Sequence, residues 1–117
     1  MNYTYRKDQE LPAIGVEWLD NTGTTIDFSS GWTFSLKLCA STAPSTVVAT
    51  KTSGISGAAS SPNVTIDWST SDFSTLTAAG SGTIYVAHLY ARRTSDNKDN
   101  VFSPADPITV TLYPAPA

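Results

Sequence analysis

Charge is scarce in this chain. Asp, Glu, Lys and Arg make up only 15% of its 117 residues, and the balance is acidic, with a formal charge of -3. A phosphate-binding surface needs clustered Lys and Arg. The adjacent basic pairs are Arg6-Lys7 and Arg92-Arg93, each closely followed by acid at Asp8 and Asp96. Nucleic acid is therefore set aside as a partner. Cys39 is the only cysteine, which excludes an intramolecular disulfide and a thiolate metal cluster. It reads as a small buried apolar residue. The only histidine, His88, falls within a strand pattern and reads as a packed sheet residue rather than a general base. Glu, Lys, Gln and Met, the strong helix formers, are all sparse. No apolar run approaches a membrane span, and Met1 to Lys7 lacks the apolar core of a signal peptide. The expectation is a chain made and folded in a cytoplasm, with no membrane partner.

What is present is β-sheet patterning on a Ser- and Thr-rich background. Between Gly31 and Ala40, Trp32, Phe34, Leu36 and Leu38 recur at a spacing of two, separated by Thr33, Ser35 and Lys37. Successive strand side chains point to opposite faces, so this stretch predicts a strand buried on one side. Ile14, Val16 and Trp18 alternate in the same way, as do Val64, Ile66 and Trp68. Thr83 to Arg92 is apolar on both faces: Ile84, Val86, His88 and Tyr90 on one, Tyr85, Ala87, Leu89 and Ala91 on the other. That predicts a central strand whose outer face is covered, by a loop, an arm or another subunit.

Turn chemistry divides the rest. Asp20-Asn21-Thr22-Gly23 suits a tight turn. The Gly-, Ser- and Ala-rich stretch from Thr52 to Pro62 reads as a flexible loop. Ser69 to Leu76 breaks the alternation, and Ser69, Asp72, Phe73 and Leu76 predict one or two helical turns plugging an end of the fold. Pro104 and Pro107 confine the closing strands to an edge. The fold class expected is all-β, an immunoglobulin-like antiparallel β-sandwich of seven to eight strands with one short helical turn near 70–76. A single domain spans 1–113, with 1–11 as an N-terminal arm or edge strand, and 114–117 form an extended Pro/Ala tail.

Convergent chemistry is missing. No nucleophile elbow, phosphate loop or metal-ligand spacing occurs, so neither an enzyme nor a cofactor or metal site is expected. Asp96-Asn97-Lys98-Asp99-Asn100 looks like a calcium loop but lacks the twelve-residue spacing and closing Glu. Trp18, Trp32 and Trp68 invite a saccharide reading, yet all three sit in phase with core residues. A sheet domain without chemistry works by association. The side chains expected at a partner interface are Tyr3, Tyr5, His88, Tyr90, Arg92 and Tyr113.

The order of segments also carries a resemblance. Tyr5-Arg6-Lys7-Asp8-Gln9-Glu10-Leu11-Pro12, Ile14 to Asp20, Gly23 to Phe28 and the Trp32–Leu38 strand follow one another in a recognisable sequence, joined by Gly82–Tyr85 and Pro107–Val110. The chain resembles the N-terminal domain of upper baseplate proteins and related small tail proteins of long-tailed bacteriophages. That resemblance implies a non-enzymatic β-sandwich component of a phage virion, a minor tail or baseplate-type protein. It would assemble in the host bacterial cytoplasm, form a homo-oligomer in the particle and contact other tail, baseplate or capsid subunits. The chain departs from the family in having no C-terminal coiled coil or receptor-binding extension, which weighs against a host-recognition adaptor. A capsid decoration protein and a carbohydrate-binding module are the alternatives.

Overall fold

The structure, a computed structural model, describes residues 1–7, 11–102 and 107–115. In chain order the elements are β1 (Asn2–Arg6), β2 (Ile14–Val16), β3 (Trp32–Ala40), β4 (Val47–Lys51), β5 (Ile55–Gly57), β6 (Val64–Ile66), a 3₁₀ turn (Thr70–Phe73), β7 (Thr83–Arg93), β8 (Lys98–Val101) and β9 (Ile108–Tyr113). They form a β-sandwich. The larger sheet runs β1-β9-β7-β3-β4 with β8 also on β7, and the smaller runs β2-β6-β5.

Alternation decides which side of each strand enters the core. Leu36 and Leu38 of β3, Tyr85, Ala87, Leu89 and Ala91 of β7, and Ile108, Val110 and Leu112 of β9 are buried. Ile14, Val16, Val64 and Ile66 come from the smaller sheet, and all of these residues belong to one apolar cluster. β7 is central, as its two-sided apolarity predicts. β3 pairs with it from Trp32↔Arg93 to Ala40↔Tyr85. Its other edge is shared end to end by β9, along Thr83–Ala87, and β8, along Tyr90–Arg93.

The 3₁₀ turn lies where Ser69 and Asp72 predict it. Ser69 and Asp72 form a reciprocal capping box, and Phe73 is buried below them. Its ring stands 5.0 Å from Trp68 and 5.9 Å from Tyr5. Lys51 is buried at the same end, with Nζ 2.6 Å from Asp72 Oδ2. At the other end, buried Asn63 accepts from the Trp18 N–H at 2.7 Å and donates through Nδ2 to the carbonyls of Trp18 and Ile26, each at 2.8 Å.

Four details differ from the sequence expectation. β9, expected at an edge from Pro104 and Pro107, is an inner strand paired with both β1 and β7. The described residues contain nine strands, because Ile55–Gly57 inside the expected flexible loop pairs with β6. One apolar residue in three offers no detectable period, while Gly57 permits an approach to the Phe28 backbone that any Cβ would block. The sandwich is also not wholly antiparallel: β1 runs parallel to β9, in register from Asn2↔Thr109 to Arg6↔Tyr113. These two segments come from opposite ends of the sequence, so no hairpin constrains their relative direction. Finally, residues 2–6 are an edge strand rather than an arm, whereas Asp8, Gln9 and Glu10 lie outside the described residues. Pro104, Pro116 and Ala117 also lie outside them.

Candidate docking face

The alternation that buries one side of the larger sheet leaves a second, outward side. On β7 this side carries Ile84, Val86, His88, Tyr90 and Arg92. Register extends it to Lys37, Ser35 and Thr33 of β3, Thr109, Thr111 and Tyr113 of β9, and Asn2, Thr4 and Arg6 of β1. Val101 joins beside Tyr90, and Val48 lies on the same side of β4 as Thr50, which pairs with Lys37. Ile84, Val48 and Val101 are each more than 40% exposed. Five of these strands lie side by side, and at about 4.8 Å between strands and about 3.3 Å per residue the face measures roughly 600 Å². That approaches the about 800 Å² per partner of a standard interface.

Part of the face is covered by the chain itself. His88 Nε2 lies 3.1 Å from the Pro44 carbonyl, so the β3–β4 connection folds over the middle of the sheet. Cys39, on the same outward side, is only 1% exposed and matches the expectation for it.

The expected interface residues separate into two groups. His88, Tyr90 and Arg92 follow one another on the outward side of β7, and Tyr113, distant in sequence, joins them on that face from β9. Tyr3 and Tyr5 point the other way. Tyr5 is 5% exposed and donates from its hydroxyl to the Pro12 carbonyl at 2.8 Å, so it is a core residue unavailable to a partner. Tyr3 is half-buried against the same core. The register of β1 on β9, with Tyr3 beside Val110 and Tyr5 beside Leu112, turns this side inward, a feature that tyrosine spacing cannot reveal. The residues missed by the sequence reading are Ile84, Val86, Val48 and Val101. Their signal, the two-sided pattern of β7, was visible without revealing which side faced out.

Electrostatics on the face are local. Lys37 lies over the Tyr90 ring at 4.7 Å and Arg6 over Tyr113 at 5.2 Å. Arg92 grips Asp99 through two bonds of 2.7 and 3.0 Å. That grip holds the Asp99 carboxyl below its ordinary range and raises Arg92. Arg93 does the same to Asp96 from the adjacent hairpin. Both carboxylates of the calcium-like stretch are thereby engaged by guanidinium groups. Among the described residues, no group of three or more His, Cys, Asp or Glu is placed to hold a metal ion. No helix among them is long and apolar enough to cross a membrane.

Of the three tryptophans, Trp18 and Trp68 are buried in the core. Trp32 is half-buried, 4.9 Å from Phe28. No family model, curated protein or solved structure matches this chain.

Proposed function

We propose that this protein is a non-enzymatic structural component of a bacteriophage virion, a minor tail or baseplate-type subunit that docks through the outward face of its larger sheet. The observation that carries the docking reading is the apolar carbon exposed towards either end of β7 on that side. Ile84 stands 48% exposed on β7 and Val101 47% on β8, in a sheet whose backbone is already paired there. Burying such a face returns about 25 cal/mol per Å² of apolar area. The virion assignment rests on the resemblance of segment order to upper baseplate and small tail proteins. Capsid decoration would use the same face and differ in location within the particle. A saccharide-binding module is disfavoured, because Trp18 and Trp68 are enclosed and cannot stack on a ligand.

Mass spectrometry of purified phage particles tests the reading. The protein is expected in the particle, and an Ile84→Asp variant that folds normally is expected to be lost from it. Absence of the unaltered protein from particles would refute the assignment.

A further inference from the structure

One stretch of strand in the larger sheet is left open. β4 pairs with β3 only from Leu36↔Lys51 onward, because the chain leaves β3 after Lys51 and crosses to β5 in the other sheet. Trp32–Ser35 therefore pairs with β7 on one edge and with no strand among the described residues on the other. Such an edge is a template for another strand.

The space beside this edge is shaped on both sides of the sheet. On the outward side lies a groove of about 410 Å³ lined by Thr33, Ser35, Lys37, Tyr90 and Arg92, with Asp99. On the inward side lies a groove of about 450 Å³ whose apolar walls are Phe28, Trp32, Phe34 and Ile55. Thr33, Phe34 and Thr52 line both grooves, so the two flank one stretch of backbone. A strand added there would send alternate side chains into each. The inward groove presents aromatic and aliphatic carbon rimmed by Ser29, Ser30 and Ser56. The outward groove holds two cations against one carboxylate.

We infer that the Trp32–Ser35 edge is a strand-addition site for an extended segment of a partner protein in which apolar and acidic residues alternate. Main-chain hydrogen bonds to the open edge supply affinity, and the two grooves supply the pattern. The partner is a different protein rather than a second copy. Among the described residues, the apolar-acidic-apolar runs Val16-Glu17-Trp18, Ile26-Asp27-Phe28 and Ile66-Asp67-Trp68 hold their apolar residues in or against their own core. The site shares Thr33, Ser35, Lys37, Tyr90 and Arg92 with the outward docking face, adds the open backbone edge and the inward groove, and does not depend on the virion assignment.

The experiment uses the full chain and two seven-residue peptides. One alternates Ile or Val with Glu or Asp, and its control replaces every acid with Lys. Amide NMR spectra and hydrogen exchange locate binding. The acidic peptide is expected to bind at about 1 mM or tighter, to protect amides within 32–35, and to outcompete the lysine peptide about tenfold at low salt. The exposed-side variant Lys37→Glu, checked for an unchanged amide spectrum elsewhere, is expected to erase that preference. Equal binding of both peptides, no binding at about 1 mM, or shifts confined to Ile84 and its neighbours would overturn the inference. Two further results would also overturn it. One is protection of 32–35 that rises with protein concentration in the absence of peptide, which assigns the edge to a second copy. The other is a shift of the Trp32 indole by maltose, cellobiose or N-acetylglucosamine without amide protection, which assigns the inward groove to saccharide.

Discussion

Lys51 Nζ and Asp72 Oδ2 meet at 2.6 Å, joining the last residue of β4 to the 3₁₀ turn that closes one end of the sandwich. Asp72 Oδ2 also accepts from the Ser69 N–H at 2.8 Å, so one oxygen serves both the helical cap and a buried ammonium. Lys51 stands 5.6 Å from the centroid of the Trp68 ring. Asp72→Ala leaves that ammonium buried without its counter-charge and is expected to cost about 3 kcal/mol. In urea denaturation, the Lys51→Met, Asp72→Ala double variant should be more stable than Asp72→Ala alone. A double variant no better than the single one would show that the cost lies in the cap.

Asn63 is the polar counterpart at the opposite end, fully buried and holding Trp18 and Ile26 through three hydrogen bonds. Asn63→Ala orphans the Trp18 N–H and the Ile26 carbonyl, leaves the Trp18 carbonyl only the Ile26 N–H, and is expected to destabilise by about 2–4 kcal/mol. Asn63→Asp is expected to be at least as damaging, since a carboxylate would face the same two carbonyl oxygens. Thermal melts of the two variants would check the order.

Gly57→Ala should be costly although the change is one methyl. Its Cβ would run into the Phe28 carbonyl and side chain. The expected loss is about 2 kcal/mol, with increased hydrogen exchange in β5 and at the Phe28 N–H, which donates to Ala58 at 3.1 Å. Unchanged exchange there would contradict the packing described.

Two tyrosines give the fold an alkaline limit. Burial raises the hydroxyls of both Tyr5 and Tyr85 above the ordinary value of 10.0. Tyr85 also donates to the Thr77 carbonyl at 2.6 Å. A group whose value is raised by folding contributes stability below its unfolded value and loses it as pH rises through the folded one. Urea midpoints should therefore hold to about pH 9 and fall above about pH 10. Tyrosinate absorbance should show ionisation that lags free tyrosine, and Tyr85→Phe should remove part of the lag.

Acid should act on the β7–β8 hairpin. Asp96 and Asp99 are both held below the usual carboxylate value of 3.8 by Arg93 and Arg92. Their contribution is present above that value and is lost as pH falls through the lowered ones. Carboxyl NMR titration should show Arg92→Ala moving Asp99 upward while leaving Asp96 in place.

Much of the fold was legible because periodicity is local. The spacing of Trp32, Phe34, Leu36 and Leu38 was enough to assign β3, and Ser69 with Asp72 was enough to place the 3₁₀ turn. β5 was hidden because three residues with one aliphatic side chain carry no period. Tyr5 was misplaced for another reason: its neighbours in sequence are polar, and its burial comes from pairing with distant β9, which sets its ring against Trp68 and Phe73.

By itself, the sequence determined the longer alternating strands, their two faces and the absence of a recognisable catalytic motif, since these follow from side-chain order along one backbone. Only the tertiary structure decided which face of β7 looks outward, that Tyr113 joins His88, Tyr90 and Arg92 on it, and that Trp32–Ser35 keeps an open edge. Those outcomes depend on which strands become neighbours and where β4 departs. That choice is made by the packing of two sheets around one core, a non-local free energy that spacing along the chain does not record.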